Sequence, residues 1–598
     1  MRYLALATDY DGTLAKDGQV DGPTVAALER LRDSGRRLIL VTGRELDELL
    51  GIFPQVDLFE RVVAENGGLL YRPAGREEKL LAEPPPAALI DAIRKRGVQP
   101  LSVGRSIIAT REPHQGAVLE AIHELGLEWQ VIFNKGSVMV LPSGVNKATG
   151  LAVALKELNL SPHNTAGVGD AENDHAFLSL CEFSAATANA LPTVKERADL
   201  VTAGTHGRGV TELIDQILAD DLRGLSRCLT RHAILLGTRD DGSDASLDCY
   251  GLNVLVAGTS GSGKSTITTG LLERLAEAGY QFVVVDPEGD YSTLEGAVVL
   301  GDPQQAPTVE AALELLTRPR QNAVVNLVGI PIEHRPAFFD GLLPRLQEMR
   351  ARTGRPHWLV VDEAHHLLPT TWHPSSVTLP QQLEGMVFIT VHPESVARAI
   401  VAAVDLILAV GDAPDRTIRA FCQAVGQPPP PLAAGMQLEP REVLAWWRRT
   451  QQPPSRVRCI PPRSERRRHS RKYAEGNLGP DRSFFFRGPA GKLNLRAQNL
   501  NLFLQLADGV DDETWMHHLR QGDYSEWFRS KIKDADLAGE AEQIERQHGA
   551  TPEDSRAAIR QAIENRYTLP SEPAEYAQAA EETGKSGTAA ARSPSPAR

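Results

Sequence analysis

The sequence predicts an α/β protein with two successive parallel-sheet domains and a helical module behind them. Two observations predict the sheets. Short apolar runs alternate with amphipathic stretches over residues 1–210 and again over about 230–450, and several of these runs end directly in a polar motif. The helical module is predicted because apolar side chains recur at helical spacing over about 495–547, namely Leu500, Phe503, Leu504, Trp515, Leu519, Trp527 and Phe528.

The individual elements follow from these runs. In the first region strands are predicted at 4–8, 38–42, 61–64, 166–169 and 183–185, with a closing helix at 211–219. In the second region strands are predicted at 253–257, 282–286, 323–327, 358–362, 387–390 and 406–410, with a helix at 266–278. The polar stretch 237–248 stands between the two regions.

Proline-rich segments predict where the second region ends. Prolines cluster at 428–431 and 453–462, and proline has no amide proton to donate to a helix or a sheet. The resulting domain assignment is 1–222, 223–450, a Pro/Arg-rich linker at 451–480, a helical domain at 481–569 and a tail at 570–598. The tail is rich in Ala, Glu, Ser and Pro, and is therefore expected to be disordered.

Length and composition limit the class of protein. A chain of 598 residues is too long for one core and predicts three or four domains. Its five cysteines are scattered without a CxxC pair, which favours a reducing cytoplasm over a disulfide framework or a zinc knuckle. There is no basic-then-apolar leader and no apolar run near the roughly 18 residues of a membrane span, so we expect a cytoplasmic protein without a membrane partner.

The first polar motif, Asp9-Tyr10-Asp11-Gly12-Thr13, ends the first predicted strand. Side chains alternate along a strand, so Asp9 and Asp11 point the same way and can share one phosphate. Three further motifs follow predicted strands or precede a helix: Thr42-Gly43-Arg44, Asn146-Lys147 and the run from Gly169 to Asp174. Open α/β sheets bind ligands at the carboxyl ends of their strands, which predicts one site for all four motifs.

This ordered set resembles the haloacid dehalogenase (HAD) superfamily of phosphatases over about residues 1–210. Glu65-Asn66-Gly67-Gly68 and an insertion at about 71–143 look like its Cof-like, phosphoglycolate- or sugar-phosphatase-like subgroup, which carries a small α/β cap. The resemblance implies a Rossmann-like parallel sheet under that cap. It also implies that Asp9 is the nucleophile, that Asp11 is the acid and then the base, and that Thr42 and Lys147 hold the transferring oxygens.

The resemblance further implies a magnesium ion. Its ligands would be the Asp9 carboxylate, the Asp11 backbone carbonyl and Asp170, with Asn173 and Asp174 in support. The residues alone leave two alternatives open. The motif could be a strand end with solvated acids, and the fold could be retained only as a phosphate-binding domain.

The second polar motif is a phosphate-binding loop between a strand and a helix. Gly258, Gly261, Ser262, Gly263, Lys264, Ser265 and Thr266 are its candidate ATP-binding residues. Glycines let backbone amides surround a phosphate, Lys264 reaches the outer phosphates, and Ser265 is a ligand for Mg²⁺. A later apolar strand ends in Asp362-Glu363, which supplies a metal ligand and a carboxylate to orient the attacking water. Adjacent His365 and His366 could instead bind a metal, although neighbours point to different faces.

Together with Asp286-Pro287-Glu288-Gly289-Asp290-Tyr291 and Thr390-Val391-His392, this motif resembles the HerA/FtsK-type branch of P-loop ATPases over about 230–450. The resemblance implies ATP as a substrate, Thr390 as a γ-phosphate sensor and a homo-oligomer, commonly a hexameric ring, in which an arginine completes the neighbouring site. Arg416 and Arg419 are the candidates, and a solvated helix face is the alternative for both. The barrel that usually precedes this domain in HerA proteins is replaced by the first domain, which puts DNA translocation in doubt.

These expectations combine into a bifunctional hydrolase in which a Mg²⁺-dependent phosphatase is coupled to an ATPase that acts as a motor or a switch. Two alternatives stay open: a metabolic sugar-phosphate or phosphoglycolate phosphatase with a regulatory ATP-binding domain, and a scaffold that senses phosphate and nucleotide. Nucleic acid is an open partner. The basic run of Arg463, Arg466, Arg467, Arg468, Arg471 and Lys472 could contact it, but such a run beside prolines is usually a solvated linker.

Overall fold

A computed structural model describes residues 1–225, 231–248, 251–372, 384–432, 435–450, 452–463, 478, 482–489, 491, 493–532, 534–547 and 549–567. The chain divides between Pro462 and Arg463 into two compact units. The predicted tail at 570–598 and five of the six basic residues of the linker lie outside the described residues. Over the described residues, no helix combines the length and the apolarity required to cross a bilayer.

The first unit begins with a Rossmann-like domain and its cap. The strands are β1 (Ala5–Thr8), β2 (Arg37–Val41), β3 (Arg61–Ala64), β4 (Leu69–Arg72), β5 (Glu77–Leu80), β6 (Ser102–Val103), β7 (Ile108–Arg111), β8 (Trp129–Asn134), β9 (Ser137–Pro142), β10 (Thr165–Gly169), β11 (Phe183–Ala186) and β12 (Leu200–Val201). The helices are α1 (Gly22–Asp33), α2 (Leu46–Ile52), α3 (Ala87–Lys95), α4 (Gln115–Glu124), α5 (Lys147–Glu157), α6 (His175–Leu180), α7 (Pro192–Lys195) and α8 (Gly207–Asp220).

The core sheet has the described order β12-β11-β10-β1-β2-β3-β4-β5, and its first six members run parallel. Both faces are covered, because alternate side chains of β1 pack into two different cores: Leu6 lies in one, and Ala5 and Ala7 lie in the other. The cap is an antiparallel sheet of order β6-β7-β9-β8, with α3 and α4 packed on it around Leu89, Ile93 and Val118.

The second domain of this unit is built on a longer sheet. Its strands are β13 (Ile234–Arg239), β14 (Asp244–Leu247), β15 (Asn253–Gly258), β16 (Phe282–Asp286), β17 (Ala297–Leu300), β18 (Asn322–Asn326), β19 (Trp358–Val361), β20 (Met386–Thr390), β21 (Leu406–Val410), β22 (Glu442–Trp447) and β23 (Ser455–Cys459). Its helices are α9 (Lys264–Glu277), α10 (Val309–Leu316), α11 (Arg335–Thr353), α12 (Ala364–Leu367), α13 (Arg398–Ala402) and α14 (Pro414–Val425).

The strand order of this sheet is β14-β13-β23-β22-β21-β15-β20-β19-β16-β18-β17, and β15 to β21 are parallel. The remaining four strands are antiparallel additions at one side. Two of them lie where the sequence predicts a polar separator, and β23 lies inside the predicted linker at 451–480. Hence this edge of the sheet is formed by segments from before and after the predicted apolar runs.

The two sheets of this unit meet at the amino ends of strands. Asn164 directly precedes β10, and its side-chain amide donates to the Gly354 carbonyl (3.3 Å), while His357, directly before β19, lies 3.2 Å from Asn164 Oδ1. The ring of His163 stacks on that of Tyr280, with 3.7 Å between centroids. Motifs at the carboxyl ends of β10 and β19 therefore lie one strand length, roughly 15 Å, from this junction.

The second unit is described by itself. It combines a hairpin, Phe484–Phe486 with Leu495–Ala497, and the helices Leu500–Gly509, Asp512–Gln521, Asp523–Trp527, Ala535–Glu545 and Pro552–Tyr567. Phe503, Trp515 and Phe528 are fully buried in its core. Helices dominate it, and the predicted α/β class followed by a helical module is confirmed.

Candidate functional site

The first candidate site forms where β1 and α5 meet. Asp9 follows β1, and its Oδ1 lies 2.5 Å from Nζ of Lys147, the first residue of α5. Asn146 caps that helix by accepting from the amides of Ala148 and Thr149, which fixes where Lys147 begins the first turn. Lys147 Nζ is also 2.6 Å from Asp174 Oδ1 and is 1% exposed. One buried ammonium therefore joins two of the predicted acids.

The turn after β10 completes an acidic cluster. Asp174 Oδ2 accepts from the backbone amides of Asp170 (2.8 Å) and Ala171 (2.9 Å), and so holds the turn closed. Thr13 Oγ1 donates to Asp170 Oδ1 (2.8 Å). Asp9, Asp170 and Asp174 can each direct one oxygen so that the three lie within 4.8 Å of one another. Oxygen donors of this kind suit Mg²⁺, and the residues present fit that ion.

A glycine makes room beside this cluster. Gly12 has a φ of +84°, and a Cβ on it would lie 2.3 Å from Asp170 Oδ2. Any larger residue would therefore displace the carboxylate and strain the backbone. The glycine of the predicted motif thus lets the loop after β1 approach the loop after β10.

Asp11 is placed differently from Asp9. Its carboxylate receives a bidentate pair from Arg44, with Nε to Oδ2 at 2.6 Å and Nη2 to Oδ1 at 2.7 Å. Thr42 is fully buried, and its Oγ1 accepts from the Arg44 amide (3.1 Å). Arg44, which the sequence motif contains without a predicted role, therefore orients Asp11 next to the cluster.

The cap contacts the core through a hairpin tip and through hydrogen bonds to Glu65. Lys135, between β8 and β9, is in contact with Asp170 through an ion pair. Glu65 of the core accepts from the amides of Arg105 (3.1 Å) and Ser106 (2.6 Å) in the cap. Asn173 donates to Asn66 (3.0 Å) within the core. The cap is thus anchored beside the cluster in this structure.

The second candidate site is the loop between β15 and α9. The seven predicted residues run from the last residue of β15 through this loop into the first turn of α9, with Gly261 and Gly263 at φ of +76° and +97°. Lys264 Nζ donates to the carbonyls of Gly258 (3.1 Å) and Thr259 (3.0 Å), so its ammonium lies across the loop. Ser262 Oγ is buried, and no partner is found for it among the described residues. Glycines at positive φ and an unpartnered hydroxyl are features that phosphate-binding loops use.

The strand order brings the remaining predicted residues to this loop. β20 lies between β15 and β19, so Thr390 at the end of β20 stands between the loop and the acids after β19. Glu363 has a φ of +43°, and its Oε2 lies 3.2 Å from His365 Nδ1. The same nitrogen is 3.0 Å from Thr390 Oγ1. Glu363, His365 and Thr390 therefore lie next to one another, and Glu363 Oε2 has no hydrogen-bond partner among the described residues.

A neighbouring acidic loop supplies a further group to this site. Ser265 Oγ donates to Asp290 Oδ2 (3.2 Å), and Asp286 accepts from the amides of Gly289, Asp290 and Tyr291 at 2.8 to 3.1 Å. Arg416 and Arg419 lie on α14, and both are exposed. The predicted finger arginines therefore face solvent in a single chain.

Comparison with known proteins assigns the first domain. Residues 6–98 and 107–214 match the family model of haloacid dehalogenase-like hydrolases. Phosphoglycolate phosphatase 2 of Saccharolobus solfataricus is 32% identical over 229 residues, which cover 36% of this chain and 93% of that protein. The chain belongs to the haloacid dehalogenase-like hydrolases.

Further matches concern both domains. Phosphoglycolate phosphatase of Methanothermobacter thermautotrophicus is 30% identical and covers 36% of this chain and 98% of its own length. A haloacid dehalogenase-like hydrolase structure from Bacteroides thetaiotaomicron is 20% identical, with a TM-score of 0.33 and coverage of 36% and 99%. Residues 236–336 match the model of the central domain of helicase HerA. The predicted fusion is confirmed at the level of these two families.

Electrostatics in the haloacid dehalogenase-like site favour a bound cation. Burial and the carboxylates of Asp174 and Asp170 raise the pKa of Asp9, against the lowering effect of Lys147. Burial likewise raises the pKa of Asp170, although its contact with Lys135 lowers it. The buried Lys147 and the more exposed Lys135 face three carboxylates, and a divalent ion would stabilise all three.

In the HerA-like site the pKa values of the acidic residues are also raised. Burial raises the pKa of Asp286 to about 6, and burial with the charges of Asp286 and Glu363 raises that of Asp362 well above its ordinary value. Burial lowers the pKa of His365 to about 4, assisted by His366 and His392. His365 is therefore neutral at pH 7, so it can accept from Thr390.

Several of these groups were not predicted from the sequence. Thr13, Arg44 and Asp290 stand inside quoted motifs, so their proximity to a site was detectable although their contacts were not. Lys135 and Asn189, which donates to the Gly12 carbonyl (2.8 Å), have no local signal. They reach the cluster only because the cap and the loop after β11 fold over it.

Proposed function

We propose that this chain is a Mg²⁺-dependent phosphomonoesterase whose second domain binds and hydrolyses ATP. The observation that carries the first half is the convergence of Asp9, Lys147, Asp170 and Asp174, from three separate segments, beside Thr42. The family assignment supports the same reaction class. The named relatives are phosphoglycolate phosphatases, so a small phosphorylated acid or sugar is the substrate class that we propose to test.

In the proposed reaction, a carboxylate oxygen of Asp9 attacks phosphorus in line and forms an aspartyl phosphate. The bond from phosphorus to the leaving oxygen breaks, and Asp11 gives that oxygen a proton. Asp11 then takes a proton from water, which attacks the same phosphorus and releases Asp9 and phosphate. This role requires the Asp11 carboxylate to exchange its contact with Arg44 for the substrate.

The other residues hold the phosphoryl group and the cation. Thr42 and Lys147 would bind transferring oxygens, and Lys147 would balance charge on Asp9 as the attack proceeds. Asp9, the Asp11 backbone carbonyl and Asp170 would hold Mg²⁺, with Asp174 and Asn173 keeping their turn in place. When bound, the ion supplies positive charge where the phosphate meets the carboxylates.

A substrate panel on the full-length chain tests this half. We expect release of phosphate from small phosphomonoesters in the presence of Mg²⁺, and its loss on chelation with EDTA followed by recovery on adding the metal back. Turnover that is indifferent to chelation would contradict the magnesium assignment. Absence of turnover with every ester would leave the alternative of a phosphate-sensing scaffold as the better account.

The second half of the proposal rests on the loop after β15 and the acids after β19. Lys264 and the loop amides would bind the β- and γ-phosphates, Ser265 and Asp362 would hold Mg²⁺, and Glu363 would orient the attacking water. Thr390, whose Oγ1 lies 3.0 Å from His365 Nδ1, would report whether the γ-phosphate is present. Phosphate release from ATP by the purified chain, measured with and without DNA, distinguishes a DNA-dependent motor from a switch.

We favour the switch because the two domains share a buried junction. Arg355 is 1% exposed, and its Nη2 donates to the Asn159 carbonyl of the first domain (3.0 Å). Contacts of this kind hold the two domains together, so a change in the ATP-binding domain can be transmitted to the phosphatase domain. A phosphatase rate that changes on adding a non-hydrolysable ATP analogue would support the coupling, and an unchanged rate would contradict it.

A further inference from the structure

One nitrogen of His365 lies between the residue that would sense the γ-phosphate and the residue that would orient the attacking water. Its Nδ1 is 3.0 Å from Thr390 Oγ1 and 3.2 Å from Glu363 Oε2. Thr390 ends β20 and pairs with Ala257, the residue before Gly258 of the phosphate loop. The ring therefore stands beside that loop, between a hydroxyl and a carboxylate.

The protons around Thr390 determine the state of this ring. The Thr390 hydroxyl oxygen accepts from the His392 amide (3.0 Å), and a hydroxyl has one proton to donate. His365 is neutral at pH 7, since burial lowers its pKa to about 4. Thr390 is fully buried, and among the described residues its proton finds no acceptor other than His365 Nδ1. The hydroxyl therefore donates to Nδ1, and the ring proton is on Nε2.

This arrangement leaves one oxygen of Glu363 unsatisfied. Its Oε2 is buried and has no hydrogen-bond partner in the described part of the chain. At 3.2 Å it meets the Nδ1 lone pair of His365, and two acceptors do not form a hydrogen bond. A buried acceptor without a donor is costly. Glu363 Oε2 is therefore not held by a donor while the ring proton is on Nε2.

A γ-phosphate would change this arrangement. Its charged oxygens are stronger acceptors than an imidazole nitrogen, and Thr390 has only one proton to donate. Once that proton goes to the phosphate, Nδ1 loses its donor. The His365 side chain is 12% exposed, so Nε2 can release its proton to solvent while Nδ1 takes one up. The ring keeps its net charge, and Nδ1 then donates to Glu363 Oε2.

We infer that His365 is a positioning residue that couples the γ-phosphate contact of Thr390 to the placement of Glu363, by moving its ring proton from Nε2 to Nδ1. The inference rests on the proposed ATPase function and adds a regulatory residue to that site. Glu363 is held to orient water only while Thr390 donates to the γ-phosphate. His365 acts through Glu363 and takes no part in the attack on phosphorus.

Nitrogen-15 NMR of the histidine-labelled, full-length chain tests the position of the ring proton. Protonated and unprotonated ring nitrogens have well-separated shifts, and the spectrum of His365→Asn identifies the signals of His365. With Mg²⁺ and a non-hydrolysable ATP analogue, the proton should move from Nε2 to Nδ1. Thr390→Val removes the donor hydroxyl, so the proton should be on Nδ1 with or without the analogue. A proton that stays on Nε2 in the nucleotide-bound wild type overturns the inference.

Kinetics separate positioning from binding. His365→Ala should lower kcat for ATP about tenfold to a hundredfold and leave nucleotide affinity nearly unchanged. His365→Asn should keep most of the rate, because its amide occupies the position of Nδ1 and can donate to Glu363. The control is His366→Asn, which changes the exposed neighbouring histidine and should leave the rate unchanged. A loss of affinity as large as the loss of rate in His365→Ala, or the same loss of rate in the control, contradicts the role of His365.

The inference and the proposed ATPase function fail in different ways. Turnover of ATP without movement of the ring proton rejects the role of His365 and keeps the ATPase. Movement of the proton without turnover rejects the ATPase and keeps the link from the phosphate to Glu363. A chain that does not bind the analogue rejects both.

Discussion

Lys147 sets the charge balance of the first site at the residue scale. It is buried between Asp9 and Asp174, at 2.5 and 2.6 Å. Burial alone would lower its pKa, but the two carboxylates raise the pKa above its ordinary value, so the lysine stays charged. Removing one partner of a buried pair commonly costs about 3–5 kcal/mol, because the other charge is left uncompensated. Substitutions that keep a hydrogen-bonding group are therefore the cleaner probes here.

Asp9→Asn is such a probe. The amide oxygen can still accept from Lys147, so we expect folding to be retained, but an amide cannot attack phosphorus. Phosphomonoester hydrolysis should fall to background while ATP hydrolysis stays near the wild-type rate, since the ATP site has its own residues. Phosphate release from each substrate measures both. Persistent ester hydrolysis by the purified variant would refute the nucleophile assignment.

Glu363 and Lys264 should separate turnover from binding in the second site. Glu363→Gln removes the group that would orient water, and ATP hydrolysis should drop about 10²- to 10⁴-fold while nucleotide binding persists. Lys264→Ala removes a cation from the phosphates and should weaken binding itself. Fluorescent-nucleotide titration beside steady-state turnover checks this. Equal losses of affinity in the two variants would mean that the roles are misassigned.

At the scale of elements, the close contact of β15 with β21 positions the phosphate loop. A Cβ on Gly258 would lie 2.1 Å from the Val410 carbonyl oxygen, and a Cβ on Gly411 would lie 2.8 Å from that of Ser262. Neither glycine has room for a side chain unless β15 and β21 move apart. The loop that would hold ATP is therefore fixed by the neighbouring strand as well as by its own glycines.

Gly258→Ala should consequently destabilise the second domain and impair nucleotide binding together. Overpacking of this kind costs about 1–3 kcal/mol. Gly341→Ala is the matched control, because Gly341 lies within α11 and nothing would meet its Cβ within 4 Å. That control should be neutral or slightly stabilising. Thermal denaturation without ATP measures the stability, and the rise in Tm on adding ATP reports nucleotide binding. Equal Tm values and equal shifts in the two variants would contradict the argument from the Gly258 contact.

At the scale of the whole first unit, the junction is polar and buried. Glu182 accepts from Arg2 (3.0 Å) and Tyr280 (2.9 Å) and lies 2.7 Å from His163 Nδ1. Burial would raise its pKa, but the contacts with His163 and Arg2 lower it to about 2. These groups already saturate the carboxylate, so we regard Glu182 as a structural link between the domains. The domains are expected to unfold cooperatively.

The junction predicts a loss of stability in acid. His357 Nδ1 accepts from the Gln281 amide (2.8 Å), and burial lowers its pKa well below 6.5. A histidine whose pKa is lowered in the folded state must take up a proton on unfolding when the pH is below its unfolded-state pKa. Its contribution to stability is therefore complete above that pKa and is lost as the pH falls below that value. The fall in Tm between pH 7.5 and pH 5.5 should therefore be smaller in His357→Gln than in the wild type, by about 2 °C or more. His123→Gln, at an exposed site, should not change the slope, and an unchanged slope in His357→Gln would exclude this origin.

Assembly is the remaining prediction at this scale. Arg416 and Arg419 are exposed on α14, as residues offered to a neighbouring subunit must be. ATP hydrolysis per chain should rise with protein concentration, and Arg416→Ala or Arg419→Ala chains should inhibit wild-type chains on mixing. Light scattering checks the oligomer. A monomer with a concentration-independent rate would refute the ring and favour a regulatory ATP site.

The sequence by itself determined the fold class and the two families, because their motifs are local. Asp9 to Thr13 and Gly258 to Ser265 specify a strand end and a turn within a few residues, and their residue types carry the chemistry. The domain limits and the roles of individual site residues stay predictions. The antiparallel additions β13, β14 and β23 were not predicted, since short strands beside turns and prolines lack a distinctive pattern.

Only the tertiary structure decided which motifs meet. β10 pairs with β1, and this brings Asp170 beside Gly12 across more than 150 positions. β20 inserts between β15 and β19, and this brings Thr390 to His365, beside Glu363. Lys135 joins the acidic cluster through the placement of the cap, and Tyr280 meets His163 through the docking of two domains. Local spacing fixes backbone conformation, but contacts between distant segments depend on strand order and on the packing that buries each face.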